Sequence, residues 1–227
     1  MAQQLLERAD VELLTMSRKP QAGLAGTVTQ WAIDLTRPLE AASRLEDWLR
    51  QRDGATFASA TLINNAALMA PLAPVDDNEN ALLSDAIRVG LEAPVLLTAS
   101  FLRATRSWPN ARRVLNISSG LGRRAMAGSA PYCGVKAGLD NFSCSVSLDE
   151  ASRTNGARIV SLAPGVIDTD MQLEMRSADA SKFPDRERLV NMKANGKLDT
   201  PEAAAAKVLA CLDRADFGSV VLADVRA

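Results

Sequence analysis

The chain has 227 residues, 47% of them apolar, which is enough for a single α/β domain with a full core. Its formal net charge of -1 offers no broad basic surface for nucleic acid and no electrostatic pull toward a membrane. Histidine is absent, which removes Ser-His-Asp hydrolysis, most catalytic zinc sites and imidazole acid–base chemistry.

Apolar runs then alternate with amphipathic stretches. "VELLTMS" from Val11 reads as a buried strand ending at Arg18, and "VTQWAIDL" from Val28 as a second. "TRPLEAASRLEDWLRQ" has helical spacing, with Leu39, Leu45, Trp48 and Leu49 on one face. "ATLINNA" from Ala60 is a third strand. Residues 79–103 read as one helix, with Leu82, Leu83, Ile87, Leu91 and Val95 among its apolar positions. "RRVLNISS" is a fourth strand, a helix from about Tyr132 to Ser152 follows, and "ARIVSLAPG" is a fifth strand. A polar region, residues 172–199, leads to a short helix that Thr200 can cap and Pro201 can open. "SVVLADV" closes the chain as a last strand.

Strands and helices in regular alternation predict a doubly wound parallel sheet, Rossmann-like, in one domain spanning residues 1–227. Such sheets bind ligands at the carboxyl ends of their strands. The polar residues there are Arg18, Asp34, Asn64 with Asn65, Ser118 with Ser119, and the Pro164-Gly165 turn. Cys133, Cys144 and Cys211 lack metal-ligand spacing and are odd in number, so neither a metal site nor a disulfide framework is expected. The lack of a signal peptide or a long uncharged apolar run predicts a soluble cytoplasmic protein.

The only tyrosine, Tyr132, stands four residues before Lys136 and thirteen after Ser119. Residues four apart on a helix share a face, so phenol and amine should meet near the helix start. A nearby ammonium and a helix N-terminus both favour phenolate, and a lowered Tyr132 pKa is the expectation. Ser119 ends a strand, and the following loop can return its hydroxyl to the same spot. Hydroxyl, phenol and cation together suit carbonyl reduction: serine holds the oxygen, tyrosine gives the proton and a cofactor delivers hydride.

The ordered set "INNAAL", "NISS", "YCGVK" and "APGVIDTDM" resembles the short-chain dehydrogenase/reductase family over nearly the whole chain. The resemblance implies that Ser119, Tyr132 and Lys136 are catalytic and that Tyr132 and Lys136 also contact the nicotinamide ribose. It implies that Asn65 and Ala66 lie by the adenine-side ribose and Asp34 with Leu35 near adenine. Pro164, Gly165, Ile167 and Thr169 would meet the nicotinamide amide. Arg18, with Lys19 beside it, suits a 2′-phosphate, so NADPH is expected in preference to NAD. The stretch after Thr169 resembles the sepiapterin reductase and benzil reductase branch, whose members reduce ketones and diketones with NADPH. Residues 172–199 would then be the substrate lid. Family members commonly form homodimers or homotetramers. The short C-terminal portion leaves no room for the separate substrate domain of sugar-nucleotide epimerases.

Two features depart from the family pattern. Gly90 stands where a catalytic asparagine is usual, so either proton resupply is weaker or another helix approaches closely at this position. The chain also opens on "MAQQLLERADVELL", resembling the back half of the family's first helix, with no preceding strand or glycine-rich turn. That strand would be central, between those ending at Arg18 and at Asn64, and each lost ladder hydrogen bond costs about 1 kcal/mol. Two readings stand: either the protein begins about 20 residues earlier with a strand and glycine-rich turn, or the chain is a relative acting as a binding or scaffold protein without cofactor. The consistently apolar later strands favour the first. The second would use the helices containing Gly90 and Gly138 to dimerise.

Overall fold

The computed structural model describes residues 1–24, 26 and 28–226. Helix α1 (Ala2–Leu6) leads to two parallel strands, β1 (Leu13–Ser17) and β2 (Val28–Ala32), and then to α2 (Pro38–Arg50). Strand β3 (Ser59–Asn64) is followed by α3 (Asn80–Ile87), a π-helical turn at Arg88–Glu92, and α4 (Ala93–Ala104). Strand β4 (Ala111–Ile117), α5 (Ala130–Ala151) and β5 (Arg158–Ala163) come next. Helices α6 (Asp170–Ser177), α7 (Arg186–Ala194) and α8 (Pro201–Asp213) precede the last strand, β6 (Leu222–Asp224).

The strands are parallel throughout, in two ladders: β1 with β2, and β3-β4-β5-β6 in order. Among the described residues no ladder joins β1 to β3. The two parts are joined instead through the core. Trp31 and Ile33 at β2, Leu45 and Leu49 of α2, Leu97 and Phe101 of α4, and Val114 of β4 form one buried cluster. On the opposite face Leu115, Ile117, Val160 and Leu162 bury against Val208, Leu209 and Leu212 of α8, with Met1 and Leu5 partly buried beside them. Adjacent residues of β4 and β5 thus point into different layers, both apolar, which is why these strands read as unbroken hydrophobic runs.

Several expectations shift in detail. Leu39 is 71% exposed and faces solvent, while Ala41, Ala42, Leu45 and Leu49 carry the buried stripe of α2. Leu82 and Ile87 are also exposed, and the helix pair α3–α4 buries the small residues Ala86, Gly90 and Ala93 instead. That helix is not uniform. Pro94 has no N–H to donate to the Gly90 carbonyl, as an α-helix requires, and the turn opens to π geometry there. The polar region 172–199 contains α6 and α7. Thr200 caps α8 as expected, its hydroxyl accepting from Ala203 N at 3.2 Å.

Candidate active site

Parallel strands in register end together. Asn64 lies opposite Asn116, Asn116 opposite Ser161, and Ile117 opposite Leu162. The residues following these strands therefore gather at one sheet edge. A buried hydrogen-bonded chain fixes α5 against that edge. Asn64 Nδ2 donates to Asn116 Oδ1 at 2.8 Å and to Thr98 Oγ1 at 3.2 Å. Asn116 Nδ2 donates to Ser143 Oγ at 2.8 Å, and Ser143 Oγ donates to the Leu139 carbonyl at 2.7 Å. Buried amides left unpaired are costly, so this chain holds β3, β4 and α5 in one relative position.

Ser119 follows β4 and opens a short 3₁₀ turn, its hydroxyl accepting from Leu121 N at 3.1 Å. Tyr132 is the third residue of α5, and Ser119 reaches its phenol, a contact that favours the phenolate. Lys136 lies one turn on and is buried, with Nζ 5.7 Å from the centre of the Tyr132 ring. The three side chains converge, as the spacing predicts.

Their electrostatics differ from expectation. The Tyr132 pKa is raised, not lowered: burial is the largest cause and outweighs the contact with Ser119. The Lys136 ammonium is committed to a backbone acceptor, donating to the Ile117 carbonyl at 2.7 Å. Burial brings Lys136 down to about 8, with Asp140 opposing that shift. This site therefore contains a phenol kept protonated and a lysine that is still mostly ammonium at neutral pH but titrates just above it.

The remaining site residues fall into two groups. Pro164 and Gly165 turn the chain after β5, Ile167 makes a parallel bridge to Asp199, and Thr169 caps α6 by accepting from Gln172 N at 3.4 Å. Asn65 and Ala66 are exposed just after β3. On the other ladder, Arg18 and Lys19 are exposed after β1, and Asp34 is exposed after β2 with Leu35 buried beside it. Hydrogen bonds from Thr36 hold the Asp34 carboxyl below the usual carboxylate range, aided by Arg18 and Arg37. Arg37 was not singled out from the sequence, although it stands three residues beyond Asp34.

At Gly90 another helix does approach closely. A Cβ there would lie 2.5 Å from Val135 Cγ1, so α5 packs directly on the π turn and no side chain fits without movement. Leu91 in turn packs against Gly138, so both glycines serve contact within the subunit.

The short chain dehydrogenase family model matches residues 4–180. The chain belongs to the short-chain dehydrogenase family. It is 31% identical over 232 residues to a benzil reductase ((S)-benzoin forming) of Bacillus cereus, covering 98% of this chain and 93% of that protein. A sepiapterin reductase of Mus musculus is 32% identical over 162 residues, covering 70% of this chain and 60% of that protein. Among solved structures, the KRED1-Pglu enzyme superposes with a TM-score of 0.77 at 26% identity, covering 95% of this chain and 90% of that one. A short-chain dehydrogenase/reductase from Burkholderia vietnamiensis gives 0.61 at 28% identity, covering 99% and 89%. This short-chain dehydrogenase is thus an oxidoreductase of Rossmann-like fold, and its family works with NAD or NADP. Among the described residues no helix is long and apolar enough to cross a membrane.

Lys136 on α5 and the Pro164–Thr169 segment after β5 lie with the β3–β6 ladder, and Arg18 and Asp34 follow the strands of the β1–β2 ladder. Between them, at the β1–β3 gap, the described residues provide no glycine-rich turn for the pyrophosphate.

Proposed function

We propose that this protein is an NADPH-dependent carbonyl reductase acting on ketones or diketones. The observation that carries the reading is the convergence of Ser119 and Lys136 on the Tyr132 phenol at the carboxyl edge of the sheet. Ser119 holds the substrate carbonyl oxygen by donating to it. Tyr132 gives that oxygen its proton: the raised pKa keeps the proton on the phenol at neutral pH, while making it a weaker acid than a free phenol. Lys136, anchored on Ile117, orients the ribose end of the cofactor. The dinucleotide supplies the two-electron reduction when bound. Asn65, Ala66, Leu35 and Asp34 serve the adenosine end, and Pro164, Gly165, Ile167 and Thr169 the nicotinamide end. Arg18, with Lys19 exposed beside it, supports NADPH over NADH through a 2′-phosphate.

The helices α6 and α7 form the substrate lid. Asp168 at its base accepts from Arg176 of α6 at 3.1 Å and pairs with Lys193 of α7. Phe183 is fully buried beneath it, next to Leu121, Met126 and Met175, with Tyr132 on the cluster's border. A methionine-rich apolar cluster bordering Tyr132 is in keeping with a carbonyl flanked by apolar groups, as in relatives named for benzil and sepiapterin. Exposed Leu82, Ile87 and Leu148 on α3 and α5 support pairing with a second copy.

A second reading, a scaffold of the same fold without turnover, is favoured by one observation, the unladdered edges of β1 and β3. The deciding experiment follows NADPH consumption with a panel of aryl and alkyl ketones and 1,2-diketones, alongside NADPH titration without substrate. Turnover of at least one apolar diketone, with NADPH preferred over NADH and the preference lost in Arg18→Glu, is expected. Absence of both cofactor binding and turnover would leave the scaffold reading in place.

A further inference from the structure

Asp140 is a buried carboxyl that the proposed chemistry leaves unused. It is 4% exposed and stands on α5 one turn beyond Lys136. Two other elements hold it. Ser161 of β5 donates its hydroxyl to Oδ1 at 2.6 Å, and Arg123, from the loop that begins at Ser119, approaches Oδ2 with Nε at 3.3 Å. Arg123 also donates to the Ala223 carbonyl at 3.0 Å. The loop can sit this close because residue 122 is glycine. A Cβ there would fall 2.8 Å from Asp140 Oδ2 and 2.9 Å from the Lys136 carbonyl oxygen.

We propose that Asp140 is a positioning residue for the reaction: it is the buried countercharge that keeps Lys136 an ammonium, and through Arg123 it ties the Ser119 loop to the helix bearing Tyr132. This rests on the reading of Lys136 as part of the active site. A lysine taken out of water favours its neutral form; a nearby anion opposes that, as does an acceptor such as the Ile117 carbonyl. Asp140 is the one group that raises the Lys136 pKa against burial, which otherwise brings it to about 8. The other elements around Lys136 provide no substitute. Strand β4 presents the Ile117 carbonyl, and β5 presents Ser161, which is uncharged. The π turn packs on α5 through Gly90 and Leu91, while its charged residues, Arg88 and Glu92, are exposed. Asp85 of α3 is within 3.7 Å of Arg88, and Asp224 of β6 is paired with Arg226. On α5 itself the remaining neighbours are Tyr132 and Cys133. Arg123 is a second cation beside Asp140.

The test titrates Lys136 directly by NMR of a lysine-labelled protein, without substrate, beside the pH profile of kcat. Asp140→Asn should lower the Lys136 titration point by on the order of one pH unit, move the alkaline limb of kcat down with it, and lower kcat at pH 8. Asp140→Glu should restore most of both. In the unmodified protein the Asp140 carboxyl carbon should show a step at the pH where Lys136 titrates, a readout that needs no variant to fold. A Lys136 titration unchanged in Asp140→Asn, or no step at Asp140, overturns the inference. A Lys136 titration that moves while the kcat limb stays still overturns instead the placing of Lys136 in the active site.

Discussion

Lys136 is the residue whose surroundings make the most testable demand. Its folded value of about 8 lies well below that of an exposed lysine, near 10.4. Between about pH 8 and pH 10 the unfolded chain therefore binds the proton more readily than the folded one, and stability rises with pH in that window. Below it, the buried ammonium weakens the fold by a constant amount. Tyr132 acts in the opposite sense only above its ordinary value of about 10, because its folded value is raised and the unfolded phenol ionises first. Denaturant unfolding of the protein and of Lys136→Met across pH 7 to 10 checks this. The protein should gain stability relative to the variant as pH rises, and a difference that stays flat or shrinks would contradict the burial described for Lys136. Spacing along a helix made the meeting of Tyr132 and Lys136 legible in the sequence. The raised phenol pKa was not, because it depends on burial of the ring against Leu121, Met126, Met175 and Phe183, which come from elsewhere in the chain. Asp140 carried a sequence signal, its position four residues after Lys136, but Arg123 and Ser161 come to it from elsewhere in the chain.

Among the elements, the contact between the π turn and α5 is set by two glycines. Gly90 and Val135 interlock, as do Leu91 and Gly138. Replacing Gly90 with alanine forces Val135 to move and should destabilise the protein by about 1–3 kcal/mol. Adding Val135→Ala should return most of that loss, since it removes the atom the new methyl would meet. Chemical denaturation of the single and double variants measures both, and an unaltered midpoint in Gly90→Ala would contradict the close packing. The sequence showed this helix but misjudged its face. Leu82 and Ile87 look like core residues on periodicity alone, yet the π turn and Pro94 alter the helix, and small residues face α5. Helices α6 and α7 were hidden for a different reason. Their sequences are polar, and what fixes them is tertiary: Phe183 beneath and Asp168 at the base.

The whole molecule is two parallel ladders sharing one core. Strands β4 and β5 are paired on both sides, whereas β1 and β3 are each paired on one side among the described residues. Amide exchange should follow that difference. The β4 and β5 amides, from Val114 to Ile117 and from Ile159 to Leu162, should be the slowest in the molecule, with faster exchange along Leu13–Ser17 and Ser59–Asn64. Equal protection across all four strands would mean that β1 and β3 have a partner not described here. The parallel sheet and its polar edge were legible from alternation and from the polar residues that close each strand, because parallel strands in register place those residues on one edge. The bridging of the gap by α2 and α4 could not be read from any one segment, since it arises where the two helices bury Leu45, Leu49, Leu97 and Phe101 together.

The central claim is that the Tyr132 phenol gives its proton to a substrate carbonyl beside Ser119 and Lys136. The most direct measurement is the steady-state rate of NADPH oxidation by Tyr132→Phe, with an apolar 1,2-diketone at saturation, set against the unmodified protein. Phenylalanine keeps the ring and its packing and removes only the hydroxyl. A fall in kcat of about 10²–10⁴-fold, with cofactor affinity and unfolding midpoint little changed, is the expected result. Unmodified turnover in that variant would contradict the account.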